Sequence, residues 1–304
     1  MKRSTLGAAV ARKFPSISRQ ILNLSVKGHF APIHRHWFFR ALAGDLFHEQ
    51  GFPMWGSSYR LYIPRELYPI YLEYFNFLDH EPLTRKVFSK LLNPGSVVID
   101  VGANIGYYTL LAAGKVGPTG KVHSVECSPD TLAVLRENVR KNNITNAEIY
   151  PVAASDKRGD LTLNVSAIGL SLFSLHSNWP AMSRTNGTVR VPAMPMDELV
   201  HSPVDVVKID AEGADLEVLK GMSKLLSENK NISVIVEWAP PLLADAGKDP
   251  LELPRWLQDA GFKIVSVLEE GTNRRLSLEE AIAMVRGKKI GSGWVGDLFA
   301  QRAA

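Results

Sequence analysis

One run constrains this chain more than any other: Val98-Ile99-Asp100-Val101-Gly102-Ala103-Asn104-Ile105-Gly106-Tyr107-Tyr108. Its β-branched start reads as a buried strand, its small residues as a tight turn, and its continuation as a helix. Such a strand–turn–helix passage is the opening of a crossover unit, the device that joins parallel strands. The remainder repeats the theme, with strands expected at 97–101, 121–126, 148–153, 204–209, 232–236, 262–268 and 295–299. Ser128-Pro129-Asp130 supplies an N-cap, a first-turn proline and an acid for the positive end of a helix reaching about Asn142. A further helix is expected over 215–226, and alternation at Leu161, Leu163 and Val165, resumed at 189–194 beyond a Gly/Ser-rich loop, predicts a β insertion. The expected class is therefore α/β, a mostly parallel seven-stranded sheet flanked by helices.

The chain divides by composition into an extension over 1–80 and a catalytic-type domain over 81–304. Eight basic residues, Lys2 to Arg40, precede the first acid, Asp45, while the rest holds 27 basic and 31 acidic residues. That arm suits either simple solvation or contact with an anionic membrane surface or a phosphate-bearing acceptor. Basic residues interleaved with aromatics do not continue into the body, which argues against nucleic acid. Thirteen of the 26 aromatics fall between Trp37 and Phe77. Leu67, Ile70, Tyr71, Tyr74, Phe75 and Leu78 share one helical face there, and Trp37, Trp55, Tyr59 and Tyr62 stand among turn residues that could wall a substrate cleft. One cysteine, Cys127, excludes an internal disulfide, and no run of about 18 apolar residues is present, so a cytoplasmic protein is expected. An oligomer is left open.

The glycine turn is where a ligand would sit, since open α/β sheets bind in the crevice outside the carboxyl ends of their strands. Glu126 ends the next strand, 20 residues beyond Gly106, where an acid can accept hydrogen bonds from both hydroxyls of a ribose. Asp100 helps to choose between adenosine-containing ligands. A carboxylate before the turn repels a pyrophosphate but favours the ammonium and sulfonium of S-adenosylmethionine. The turn also reads G-x-N-x-G, not G-x-G-x-x-G. The expected cofactor set is thus Asp100, Gly102, Asn104, Gly106, Tyr107, Tyr108 and Glu126. A second charged strand end, Val207-Lys208-Ile209-Asp210-Ala211-Glu212-Gly213-Ala214, reaches the same edge, and Glu237 ends the strand after it.

Together these segments resemble the FkbM family of methyltransferases, through Val-Ile-Asp-Val-Gly-Ala-Asn-Ile-Gly and Val-Lys-Ile-Asp-Ala-Glu-Gly-Ala-Asp. The likeness runs from Glu81-Pro82 through Ser155-Asp156 and Leu219-Lys220-Gly221-Met222 to Glu237, about half the chain, with a similar terminal strand at Asp297-Leu298-Phe299. It implies a Rossmann-like class I methyltransferase fold, S-adenosylmethionine as cofactor, and O-methylation of a sugar, glycan or related natural product. It further implies that Gly102, Asn104 and Gly106 form the cofactor turn, that Glu126 holds the ribose, and that Ser155 and Asp156 lie near the adenine. Glu81 and Thr84 are implied near the methionine end.

Methyl transfer from a sulfonium asks chiefly for alignment and desolvation, and a base adds about 10² to 10⁴-fold. Asp210, Glu212 and Glu237 are the expected candidates, with His176 of the 169–186 loop a fourth. Ser171 and Ser174 of that loop are candidate hydroxyl contacts, and Cys127 is assigned to packing. No cluster has the spacing of a zinc site and no metal is expected, although Asp210 could join a divalent ion. Two rivals stay open: a nicotinamide-dependent oxidoreductase, and a cofactor-binding module without catalysis.

Overall fold

The computed structural model describes residues 51–54, 56–65, 81–166, 173–174, 185–270, 272–287 and 294–302. The basic arm, the helix expected over 67–78, Trp37, Trp55, Ser171 and His176 lie outside these residues, as does the side chain of Ser174. In chain order the elements are β1 (Phe52–Pro53), β2 (Arg60–Leu61), α1 (Pro82–Leu91), β3 (Val97–Val101), α2 (Tyr107–Val116), β4 (Lys121–Val125), α3 (Pro129–Lys141), β5 (Ala147–Tyr150), β6 (Ala153–Ala154), β7 (Gly159–Ser166), β8 (Phe173–Ser174) and β9 (Thr185–Met194). There follow β10 (Val206–Ile209), α4 (Asp215–Lys220), α5 (Ser223–Glu228), β11 (Ser233–Trp238), α6 (Pro240–Asp245), α7 (Glu252–Asp259), β12 (Phe262–Glu269), β13 (Arg274–Leu276), α8 (Leu278–Arg286) and β14 (Gly296–Arg302).

The main sheet runs β13-β12-β14-β11-β10-β3-β4-β5. Its central pairs, from β11 through β10, β3 and β4 to β5, are parallel, and β14 enters antiparallel between β11 and β12. This is a Rossmann-like class I methyltransferase architecture. All seven expected strands are present. An eighth, β13, pairs at the edge; three residues are too few for periodicity to reveal it.

Alternate residues of each central strand face opposite layers, as the pleat requires. Val98, Val122, Val206, Ile235 and Phe299 join Phe88, Leu110 and Leu111 of α1 and α2 in one core. Ile99, Val125, Val207, Val234 and Leu298 join Val218, Leu219, Leu253 and Leu257 of α4 and α7 in the other. Both faces are therefore dry, which explains the continuous β-branched runs. Residues 52–63, assigned by composition to the extension, contribute Phe52, Leu61 and Ile63 to the first of these cores. Asn138 on α3 and Asn142, which caps its carboxyl end, fasten that segment through both backbone groups of Tyr62 and of Arg60.

Three expectations need correction. The strand over 148–153 is two strands: β5 stays in the main sheet, while β6 leaves it to pair with β9 in a second sheet, β6-β9-β7-β8. That second sheet is the expected insertion. The helix over 215–226 is two helices, α4 and α5, separated at Gly221-Met222. A Cβ at Gly221 would lie 1.9 Å from the carbonyl oxygen of Ser155, so bare backbone is what lets this helical segment meet the loop after β6. Finally, Tyr59 and Tyr62 do not wall a cleft at the carboxyl edge. Tyr59 lies against Gly114 late in α2 and the Tyr62 ring meets Lys141 at 4.4 Å at the end of α3, both at helix ends remote from that edge.

Candidate active site

The pleat that buries the first core also builds the site. Two residues beyond Val98, Val122, Val206 and Ile235, toward the carboxyl edge, the same face carries Asp100, Ser124, Lys208 and Glu237. Strand β14 runs the other way, so its contribution at that edge is Asp297, two residues before Phe299 and level with Glu237. Asp100 and Lys208 are register partners across β3 and β10. An apolar layer thus gives way, within one pleat repeat, to a layer of charges.

Lys208 is the centre of this layer and is 1% exposed. Its Nζ lies 3.3 Å from Asp297 Oδ1 and 3.7 Å from Asp210 Oδ2, and 5.3 Å from the centre of the Tyr108 ring. Burial opposes its charge, but Asp297 and Asp210 outweigh burial and raise its pKa well above the usual lysine value. Thr84 Oγ1 donates to Asp297 Oδ2 at 2.5 Å, and Tyr108 donates its phenolic proton to Glu81 Oε2 at 2.6 Å. Glu81 and Thr84, implied near the methionine end of a cofactor, are thereby joined to this charge layer.

Around Lys208 stand eight acids: Glu81, Asp100, Asp210, Glu212, Asp215, Glu237, Glu270 and Asp297, linked by mutual repulsion. Burial, reinforced by these neighbours, lifts the carboxyls of Asp100 and Asp297 to about 6 and that of Asp215 to about 7. Glu212, Glu237 and Glu270 are held well above the ordinary carboxylate range, again by burial first and then by neighbouring acids. So dense a set of acids beside one lysine is short of positive charge, and a cationic ligand would relieve it. An anionic pyrophosphate would aggravate it. Among the described residues no three His, Cys, Asp or Glu side chains are placed to hold a metal.

The glycine turn lies at the edge of this layer. Asn104 adopts a left-handed conformation (φ 52°), and its backbone N–H donates to Glu126 Oε2 at 2.8 Å. Ser128 N–H donates to Glu126 Oε1 at 2.7 Å. These donors, with further bonds from the Cys127 backbone and the Thr131 side chain, fix the carboxylate across the turn. Burial raises the Glu126 pKa against these lowering bonds. Gly102 has a more local reason than ligand approach: at φ 74°, a Cβ there would lie 1.8 Å from the carbonyl oxygen of Asp210. The two hallmark loops are in backbone contact.

Other expected residues fall in different places. Asp100 accepts from Thr109 Oγ1 at 2.6 Å, and Thr109 in turn meets Ser124 at 2.8 Å, so its carboxylate braces β3 against α2 and β4. Ser155 and Asp156 sit at the end of β6 against Gly221, and Ser155 Oγ donates to Asp156 at 3.3 Å. Burial pushes the Cys127 thiol up to about 12, as suits a packing residue. Sequence reasoning missed Lys208, Asp215, Glu270 and Asp297. Lys208 carried a signal, since a lysine inside a β-branched strand must find an acid. Asp215 does structural work too, accepting from Ala211 N–H at 2.8 Å and Gly213 N–H at 3.2 Å and so shaping the loop in which Glu212 stands at φ 50°.

The methyltransferase FkbM domain model matches residues 100–264. The hexuronic acid methyltransferase AglP of Haloferax volcanii is 32% identical over 170 residues, which are 54% of this chain and 62% of that protein. This chain thus matches less than two thirds of that relative. Methyltransferase 1 of Beauveria bassiana is 23% identical over 192 residues, 48% of this chain and 77% of that one. Among solved structures, the methyltransferase FkbM of Methylobacillus flagellatus KT superposes with a TM-score of 0.43 at 14% identity, covering 78% of this chain and 54% of that one.

Proposed function

This chain belongs to the FkbM methyltransferase family, and on that premise we propose that it transfers a methyl group from S-adenosylmethionine to a hydroxyl of a sugar or glycan. The observation that carries the reading is the charge layer, eight acids around Lys208 beyond the glycine turn. S-adenosylmethionine supplies a methyl carbon already activated by a sulfonium, and its ammonium and sulfonium are the positive charges this edge lacks. Glu126 is set to accept the ribose hydroxyls, and the Glu81–Tyr108 pair faces the charge layer where a ligand ammonium would be favoured. A nicotinamide dinucleotide, with its anionic pyrophosphate, suits neither.

The protein's own work is alignment and exclusion of water, since the displacement needs the acceptor oxygen in line with the methyl carbon. Asp210, Glu212 and Glu237 are the groups that orient the acceptor and receive its proton. Without a ligand, burial and mutual repulsion raise the Glu212 and Glu237 carboxyls well above the ordinary carboxylate range and so favour their protonated form. A cation bound beside them lowers their pKa, so a carboxylate base becomes available when the cofactor is in place. A sugar acceptor is favoured by the Haloferax relative, whose name places its own activity on a hexuronic acid. Among the described residues no helix is long and apolar enough to cross a membrane.

The test is methyl incorporation from labelled S-adenosylmethionine into panels of free sugars, glycolipids and nucleotide sugars, with the product bond assigned by NMR. An O-methyl ether on a sugar is the expected product. Label confined to protein, nucleic acid or a nitrogen centre would refute the acceptor assignment.

A further inference from the structure

A pocket of about 160 Å³ adjoins the charge layer. It opens between α4, the carboxyl end of β11, α6 and the start of α7, and it shares Glu237 and Asp215 with the cluster. We propose that this pocket receives the methyl acceptor and that it selects an uncharged, hydroxyl-bearing ring over an anionic one. The proposal rests on the methyltransferase reading and adds to it the place and charge of the acceptor, setting this chain apart from the Haloferax relative, whose name specifies an anionic hexuronic acid.

Three observations support it. The first is size, since a closed cavity of about 150 Å³ takes a benzene ring, and this pocket is similar in volume but open on one side, where the substituents of a bulkier ring can lie. The second is the wall. Leu216, Leu242, Leu243 and Leu253 offer an apolar surface of the kind that suits the C–H face of a ring. Beside it, one carboxyl oxygen of Glu237 and one of Glu217 are buried with no hydrogen-bond partner among the described residues. Buried polar atoms demand partners, and ligand hydroxyls would supply them. The third is charge. Six acids and two lysines line the pocket, and both lysines are engaged: Lys248 lies 3.2 Å from Glu217, and Lys220 lies 3.3 Å from Glu252. A carboxylate or phosphate entering here would meet acids and already paired lysines.

The experiment is ligand-observed NMR on the full chain with S-adenosylhomocysteine present, using the methyl glycosides of glucose, galactose and mannose and the three matching uronates. Each is titrated against the unaltered protein and against Ala246→Trp, which places an indole in the pocket. Ala246 follows α6 and is partly exposed, so the variant should fold. Calorimetric binding of S-adenosylhomocysteine by the variant checks this. The expected result is binding of at least one neutral glycoside, weakened at least about tenfold by Ala246→Trp and at least about tenfold tighter than its uronate. Neutral glycosides that bind both proteins equally, uronates that bind as well as their neutral partners, or no neutral binding at all would each overturn the proposal. Failure of the unaltered protein to bind S-adenosylhomocysteine would instead sink the methyltransferase reading.

Discussion

Replacing Lys208 by Met removes the positive centre of the charge layer while keeping its volume, and the cost should depend strongly on pH. With Nζ 3.3 Å from Asp297 and 3.7 Å from Asp210, each attraction is worth up to about 5 kcal/mol at an effective dielectric of about 20. That is a ceiling, because the abandoned acids can escape by protonation. Asp297 already titrates at about 6 in the parent, and escape costs about 1.4 kcal/mol for each pH unit above that value. Its protonation in the variant therefore costs almost nothing extra near pH 5 and about 2 kcal/mol near pH 7.5. The sign follows from linkage. A carboxyl whose folded pKa is raised stabilises the fold below its unfolded pKa and loses that contribution as pH rises; loss of Lys208 raises Asp297 further above its present value of about 6. The expected loss is about 2 to 4 kcal/mol near pH 7.5 and no more than about 1 near pH 5, by urea denaturation followed by circular dichroism. Equal losses at both pH values, or a loss below about 1 kcal/mol at the higher one, would refute the reasoning.

The raised carboxyls also make cofactor binding proton-linked. A cation binding beside Asp100, Asp297 and Asp215, which titrate at about 6, 6 and 7, lowers their pKa and releases protons. Affinity for S-adenosylmethionine should therefore rise as pH rises through that range, with a buffer-dependent calorimetric enthalpy, and the effect should be smaller for S-adenosylhomocysteine, which lacks the sulfonium. Gly221→Ala should destabilise the fold by at least about 2 kcal/mol, since its Cβ would collide with the Ser155 carbonyl at 1.9 Å and that contact is backbone. A thermal melt within a degree of the parent would contradict this.

The sheet was readable because its signal is local. Each central strand is a β-branched run buried on both faces, and the α3 cap Ser128-Pro129-Asp130 lies within three residues, with Ser128 capping Thr131 N–H as expected. The glycine turn and Glu126 were readable for the same reason. What the sequence hid depends on pairings distant in the chain. The break between α4 and α5 is set by the carbonyl of Ser155, 66 positions from Gly221. Asp297 joins the site only because β14 returns antiparallel beside β11 and levels it with Glu237. Asp100 was correctly placed before the turn, but its hydrogen bond goes to Thr109, one helix away, which strand periodicity could not disclose.

The central claim is that the turn and the charge layer bind a cationic adenosyl ligand. Its most direct test is calorimetric titration of the protein and of Glu126→Ala with S-adenosylmethionine, S-adenosylhomocysteine and NAD. Both sulfur compounds should bind the parent, NAD should not compete, and the variant should lose roughly 10- to 100-fold in affinity, the worth of hydrogen bonds to a charged acceptor. Binding of NAD alone, or sulfur-ligand binding that ignores the loss of Glu126, would contradict it.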